Sequence, residues 1–121
     1  MHLAIASTYG PTDPTRATVP FLHARAAREQ GDAVTIMLLH DAVLLAHGDS
    51  AQDIRAFGPP PLGAIFEELA ADPNVTLLVC KPCHTVRRLE ESRLHAGARL
   101  ATMGDFHRAI RENGATVSNY G

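Results

Sequence analysis

At 121 residues, 45% of them hydrophobic, the chain has enough apolar material for one compact domain and too little for two of ordinary size. A formal charge of −2, with acidic and basic residues scattered, provides no basic stripe and argues against direct readout of nucleic acid. No apolar run approaches the roughly 20 residues of a membrane span, and MHLAIAS lacks the basic start of a signal peptide, so the expectation is one cytoplasmic domain over residues 1–121, away from any membrane.

In chain order, Leu3 to Ser7 reads as a short apolar strand, followed by a turn-rich loop from Thr8. Asp13-Pro14 supplies an N-cap and first helical position, and a helix is predicted to run to about Gln30, with Gly31 beyond its end. Pro20 falls inside that span and predicts a kink or a second helix start. Val34 to Leu39 is a second strand, apolar on both faces, and Asp41 to Ala46 a short helix. Gly48 to Pro61, with its three consecutive prolines, predicts an irregular crossing before a helix from about Leu62 to Ala71. Val75 to Val79 is the third strand, and Cys80 to His84 the turn after it. A polar, partly helical stretch through His95 follows, then a brief strand from Arg99 to Ala101. Thr102 and Asp105 have capping-box spacing for a last helix, with Gly114 past its end and Ala115 to Ser118 as a closing strand.

Strands alternating with helices imply a three-layer α/β/α, flavodoxin-like fold with about five mainly parallel strands, whose order the sequence leaves open. Right-handed crossovers bring the carboxyl ends of parallel strands to one rim. That rim gathers Ser7, Thr8, Tyr9, His40, Asp41, Cys80, Lys81, Cys83, His84 and Thr102.

Chemistry concentrates in the string Cys80-Lys81-Pro82-Cys83-His84. A cysteine at a strand-to-helix turn meets amides that favour its thiolate, and thiols of cytoplasmic proteins stay reduced, so catalytic, redox or metal work is favoured over a structural disulfide. Simple packing is the plainest alternative for Cys80, because free cysteines are often buried as small hydrophobes. The spacing matches c-type haem attachment, but that chemistry belongs outside the cytoplasm. A thioredoxin-like site places its motif earlier in the chain. Zinc needs four ligands, and the adjacent Cys83 and His84 are awkward to use together. No glycine-rich phosphate loop is present, so neither a cofactor nor a resident metal is expected.

The segments STYGPTDPTRATVPF (Ser7 to Phe21), LHDAVLLA (Leu39 to Ala46) and above all VCKPCHTVRRL (Val79 to Leu89) resemble the DsrE/DsrF-like sulfur-relay family. The resemblance implies a sulfur-carrying cysteine at the end of the third strand, which is Cys80, with an arginine seven residues later, which is Arg87. It also implies sulfur donor and acceptor proteins as partners and a homo-oligomer, commonly a trimer or hexamer. Two departures stand out: Arg88 occupies a position where the family commonly has glycine, and Cys83 is found only in some members. The leading expectation is a sulfurtransferase-like carrier acting through a Cys80 persulfide. A dithiol redox protein using Cys80 and Cys83, and an oligomeric binding module with incidental cysteines, are the alternatives. Lys81, Arg87 and His84 are candidates to tune the thiols, and Leu44, Leu45 and Phe57 are candidate exposed apolar residues for an interface.

Overall fold

The apolar runs pair as β1 (His2–Ser7), β2 (Ala33–Leu38), β3 (Val75–Cys80), β4 (Ala98–Ala101) and β5 (Thr116–Tyr120). All are parallel, in the order β4-β3-β2-β1-β5. This computed structural model describes residues 1–121. The helices are α1 (Pro14–Glu29), α2 (Leu62–Ala71), α3 (Lys81–Val86) and α4 (Met103–Asn113), with short 3₁₀ helices at His40–Ala46, Ser50–Asp53 and Glu91–Arg93. No helix is long and apolar enough to cross a membrane.

Strand alternation divides the core into two sides. Leu3, Ile5, Val34, Ile36, Leu38, Leu77 and Val79 share one face, and all are buried. Against it lie α1 and α2, which also pack on each other through the tilted Phe21–Phe66 pair at 5.4 Å between ring centroids. The other face carries Ala4, Thr35, Met37, Leu78, Cys80 and Ala101, covered by α4 through Phe106. The arrangement is the three-layer, flavodoxin-like α/β class. Its layers follow from handedness: the first three crossovers move one way along the sheet and share a face, while the return from β4 to β5 reverses direction and places α4 opposite.

Local signals set the helix ends. The Asp13 carboxylate accepts the Arg16 amide at 3.2 Å, and Pro14 starts α1. Thr102 and Asp105 form the reciprocal capping box of α4, at 3.1 and 2.8 Å.

Several expectations are corrected. Pro20 does not restart α1, which runs unbroken from Pro14 to Glu29 and buries Ala17, Pro20, Phe21, Ala24 and Ala27 as one stripe. Asp41 to Ala46 is a 3₁₀ rather than an α-helical turn and begins at His40. The crossing from Gly48 to Pro61 holds a 3₁₀ turn at Ser50–Asp53. Cys80 to His84 is not a turn: Cys80 closes β3 and α3 begins at once. The closing strand starts one residue later than expected and reaches Tyr120. Leu45 is fully buried and offers no surface, Leu44 is half-buried, and Phe57 is 91% exposed.

Candidate functional site

The adjacent strands β3 and β4 send their chains to opposite faces of the sheet, to α3 and to α4. Their carboxyl ends therefore flank the crevice where open α/β sheets bind. Cys80 stands at that point, paired in register with Ala101. It also caps α3, its Sγ accepting the Cys83 amide at 3.4 Å.

From Cys80 the helical repeat places Cys83, His84 and Arg87 at i+3, i+4 and i+7, on the inward side of α3, while Lys81, Pro82, Thr85, Val86 and Arg88 face solvent. Across from this face lies the start of the His40–Ala46 segment. His40 has a positive φ of 52°, and its main-chain N–H donates to Cys83 Sγ at 3.2 Å. Arg87 donates from Nε and Nη2 to Asp41 Oδ1, at 3.2 and 2.8 Å, and from Nη1 to the Cys83 carbonyl at 3.2 Å. Its Nη2 also meets His40 Nδ1 at 3.0 Å, so that ring nitrogen accepts and the proton sits on Nε2, 3.8 Å from Asp41 Oδ2. One guanidinium thus ties α3 to the loop that touches Cys83.

The two thiols differ in environment. Cys80 is 6% exposed, and burial pushes its thiol up from the ordinary range, with the neighbouring Cys83 thiol adding to the effect; the Cys83 amide and Arg87 oppose it only in part. The expectation that a helix N-terminus lowers this thiol is therefore reversed: α3 spans six residues, and desolvation outweighs its amides. Cys83 is half-buried.

Three aspartates are held below the usual carboxylate range: Asp41 by Arg87, Asp72 by Arg28 and the Asn74 amide, and Asp105 by the Thr102 amide and side chain. Their stabilising effect is complete above the unfolded-state value near 3.9 and is lost as pH falls through the depressed folded values. Calorimetry should therefore give a melting temperature that these groups leave flat from about pH 7 to 5 and that drops below about pH 4, and Asp72→Asn should flatten that drop.

The remaining expected residues spread along the rim. Ser7 is buried with its Oγ unpartnered, and its carbonyl accepts the Leu39 amide at 2.9 Å. Thr8 and Tyr9 turn towards β5: the Thr8 amide donates to the Tyr120 carbonyl at 3.1 Å, and the Tyr9 ring lies 5.6 Å beneath the Arg16 guanidinium. Neither they nor the exposed Lys81 hydrogen-bonds a thiol. His84 is 3% exposed with Nε2 unpartnered. Gly10, overlooked in the sequence, matters sterically, since a Cβ there would run into the Asp41 backbone. No group of three or more His, Cys, Asp or Glu is arranged to hold a metal ion. Nor do the thiols line any hollow: the largest, about 430 and 460 Å³, lie along α4, lined by residues such as His2, Arg99 and Arg108.

Comparison with known proteins agrees with this architecture. An uncharacterized protein, MJ0989 of Methanocaldococcus jannaschii, is 29% identical over 120 residues, covering 98% of this chain and 99% of that protein. The crystal structure of the ychN protein from E. coli superposes with a TM-score of 0.74 at 21% identity, covering 99% of this chain and 100% of that one. MTH1491 of Methanobacterium thermoautotrophicum, a protein of unknown function, gives 0.70 at 12% identity, covering 98% and 96%. The DsrE/DsrF-like family matches residues 1–118, and the chain belongs to that family.

Proposed function

We propose that the protein is a sulfur carrier that holds sulfane sulfur as a persulfide on Cys80, with Cys83 as its working partner. The observation that carries this reading is the pairing of one buried and one half-exposed free thiol at the carboxyl end of β3, hydrogen-bonded to main-chain amides and enclosed by no substrate hollow. Sulfur exchange between proteins needs a reachable thiol and a stabilised thiolate, whereas an enzyme acting on a free small molecule needs a cavity to hold it. Family membership supports sulfur-relay chemistry in general. The donors and acceptors fitting this site are persulfides and thiols of partner proteins.

Intact-mass measurement after incubation with glutathione persulfide tests the reading. A gain of about 32 Da, absent when both Cys80 and Cys83 are replaced by Ser, is expected. A loss of about 2 Da without any gain would mean instead that the pair cycles as a dithiol, the reading favoured by the Cys83 amide lying 3.4 Å from Cys80 Sγ. No change in mass would leave a binding module with incidental cysteines.

The same proposal includes assembly as a homo-oligomer, with Phe57, 91% exposed, as a candidate contact residue. Light scattering at micromolar concentration should find a multiple of 13.0 kDa; a species of one chain's mass would contradict it.

A further inference from the structure

The geometry points to Cys83 as the thiol that receives sulfur, with the main-chain amide of His40 as the group that stabilises its thiolate and the Arg87–Asp41 pair as the clamp that holds that amide in place. This rests on the sulfur-carrier reading and assigns its first step. His40 is held at a φ of 52°, a left-handed conformation that a residue with a side chain adopts at some cost. That conformation accompanies an N–H directed at Cys83 Sγ, 3.2 Å away. The clamp is built for the purpose: Arg87 reaches Asp41, the His40 ring and the Cys83 carbonyl with a single guanidinium, so the two ends of the N–H···S contact are fixed to each other. Cys80 has no comparable access, being 6% exposed and closed into the β3 ladder.

The step balances without an external oxidant. The Cys83 thiolate attacks the outer sulfur of a donor persulfide, R–S–SH; the donor S–S bond breaks, R–S⁻ leaves with the electron pair and takes up a proton, and Cys83–S–SH remains. Cys80 then takes the outer sulfur by the same exchange, its proton passing to the departing Cys83 sulfur, so that Cys80–S–SH and Cys83–SH result. Arg87 and Asp41 are positioning residues in this scheme. The ionisable groups around Cys83 are Cys80 from β3, His84 and Arg87 from α3, and His40 and Asp41 from the facing loop.

Iodoacetamide alkylation of the reduced full-length chain, followed by peptide mass spectrometry across pH, tests the assignment without any persulfide. Cys83 should react at least about tenfold faster than Cys80 at neutral pH. In Asp41→Ala the two rival accounts differ in sign. If Asp41 acts only through its charge, removing it frees Arg87 for the thiolate and Cys83 reacts faster. If it acts as a clamp, Cys83 slows by about tenfold and its pH profile moves up by about one unit, while circular dichroism stays unchanged. Asp41→Asn keeps an oxygen for Arg87 and should restore the rate to within about threefold of wild type. His40→Gly keeps the amide and tolerates the backbone angle but removes the ring that Arg87 also holds, so its rate should fall between those of wild type and Asp41→Ala. Faster alkylation in Asp41→Ala, a His40→Gly variant slower than Asp41→Ala, or preferential reaction at Cys80 would overturn the assignment. With glutathione persulfide, Cys83→Ser should slow the mass gain at least about tenfold, and loading at the wild-type rate would equally overturn it. Failure of the wild-type chain to load at all is a different result, which removes the carrier reading itself.

Discussion

Gly10→Ala is expected to destabilise the protein by about 2–3 kcal/mol and to disturb the thiol site at a distance. The Cβ it adds would meet the carbonyl carbon and oxygen of Asp41 and the Asp41 Cβ. These are backbone and near-backbone atoms, with no flexible side-chain end to swing aside, so one of the two loops must move. The loop carrying Asp41 begins as a 3₁₀ turn with no side-chain cap at its start. If it moves, Arg87 loses its acceptor and the His40 amide loses its alignment with Cys83. Chemical denaturation should report the lost stability, and Cys83 alkylation should slow in the same variant. A fully stable Gly10→Ala with unchanged alkylation would show that the rim loops are looser than their contacts indicate.

Phe66→Ala should have the largest effect on stability, about 3–5 kcal/mol, which is a large share of the 5–15 kcal/mol typical of a whole domain. Phe66 is 1% exposed and packs against Phe21 of α1 on one side and the His95 ring, at 5.2 Å, on the other. It joins the two helices of one layer to the chain that leads into β4. His95 in turn donates its amide to the Ala46 carbonyl at 2.8 Å and holds Glu67 through Nε2 at 2.9 Å, so the hole left by the ring opens beside the end of the His40–Ala46 segment. A fall in melting temperature of roughly 10–20 °C is expected for a chain of this size. Phe66→Leu, which leaves less empty volume, should recover a good part of it.

Much of the fold was legible because its strands are written in unmixed apolar runs. Leu77 to Val79 is apolar throughout and Val34 to Leu38 is apolar but for Thr35, as suits central parallel strands, whereas the polar TVSNY of β5 and the brevity of β4 mark edges. The capping box of α4 could be read directly from Thr102 and Asp105. The course of α1 through Pro20 could not, since it depends on docking against a sheet that local sequence does not display. At the site, the rim grouping of Cys80, Cys83, His40 and Asp41 followed from parallel topology. The character of each thiol did not follow, because desolvation depends on what covers Cys80. Nor was there a signal for the left-handed backbone of His40, a residue with none of glycine's freedom. The spacing of Cys80, Cys83, His84 and Arg87 did hold information: it is a helical repeat, and reading it as one would have replaced the turn with α3. Arg88, at the position where the resemblance led one to expect glycine, has a φ of 55°, a left-handed conformation that glycine adopts at less cost.

Cys80 and Cys83 are held by different parts of the chain, and this bears on how such a site changes over time. Cys80 ends β3 opposite Ala101 and is 6% exposed, so a replacement must fit a packed space. Cys83 sits on a six-residue helix and receives one main-chain hydrogen bond at its sulfur. A lineage can therefore gain or shed the second cysteine by a single substitution while keeping the scaffold, and with it pass between one-thiol and two-thiol handling of sulfur.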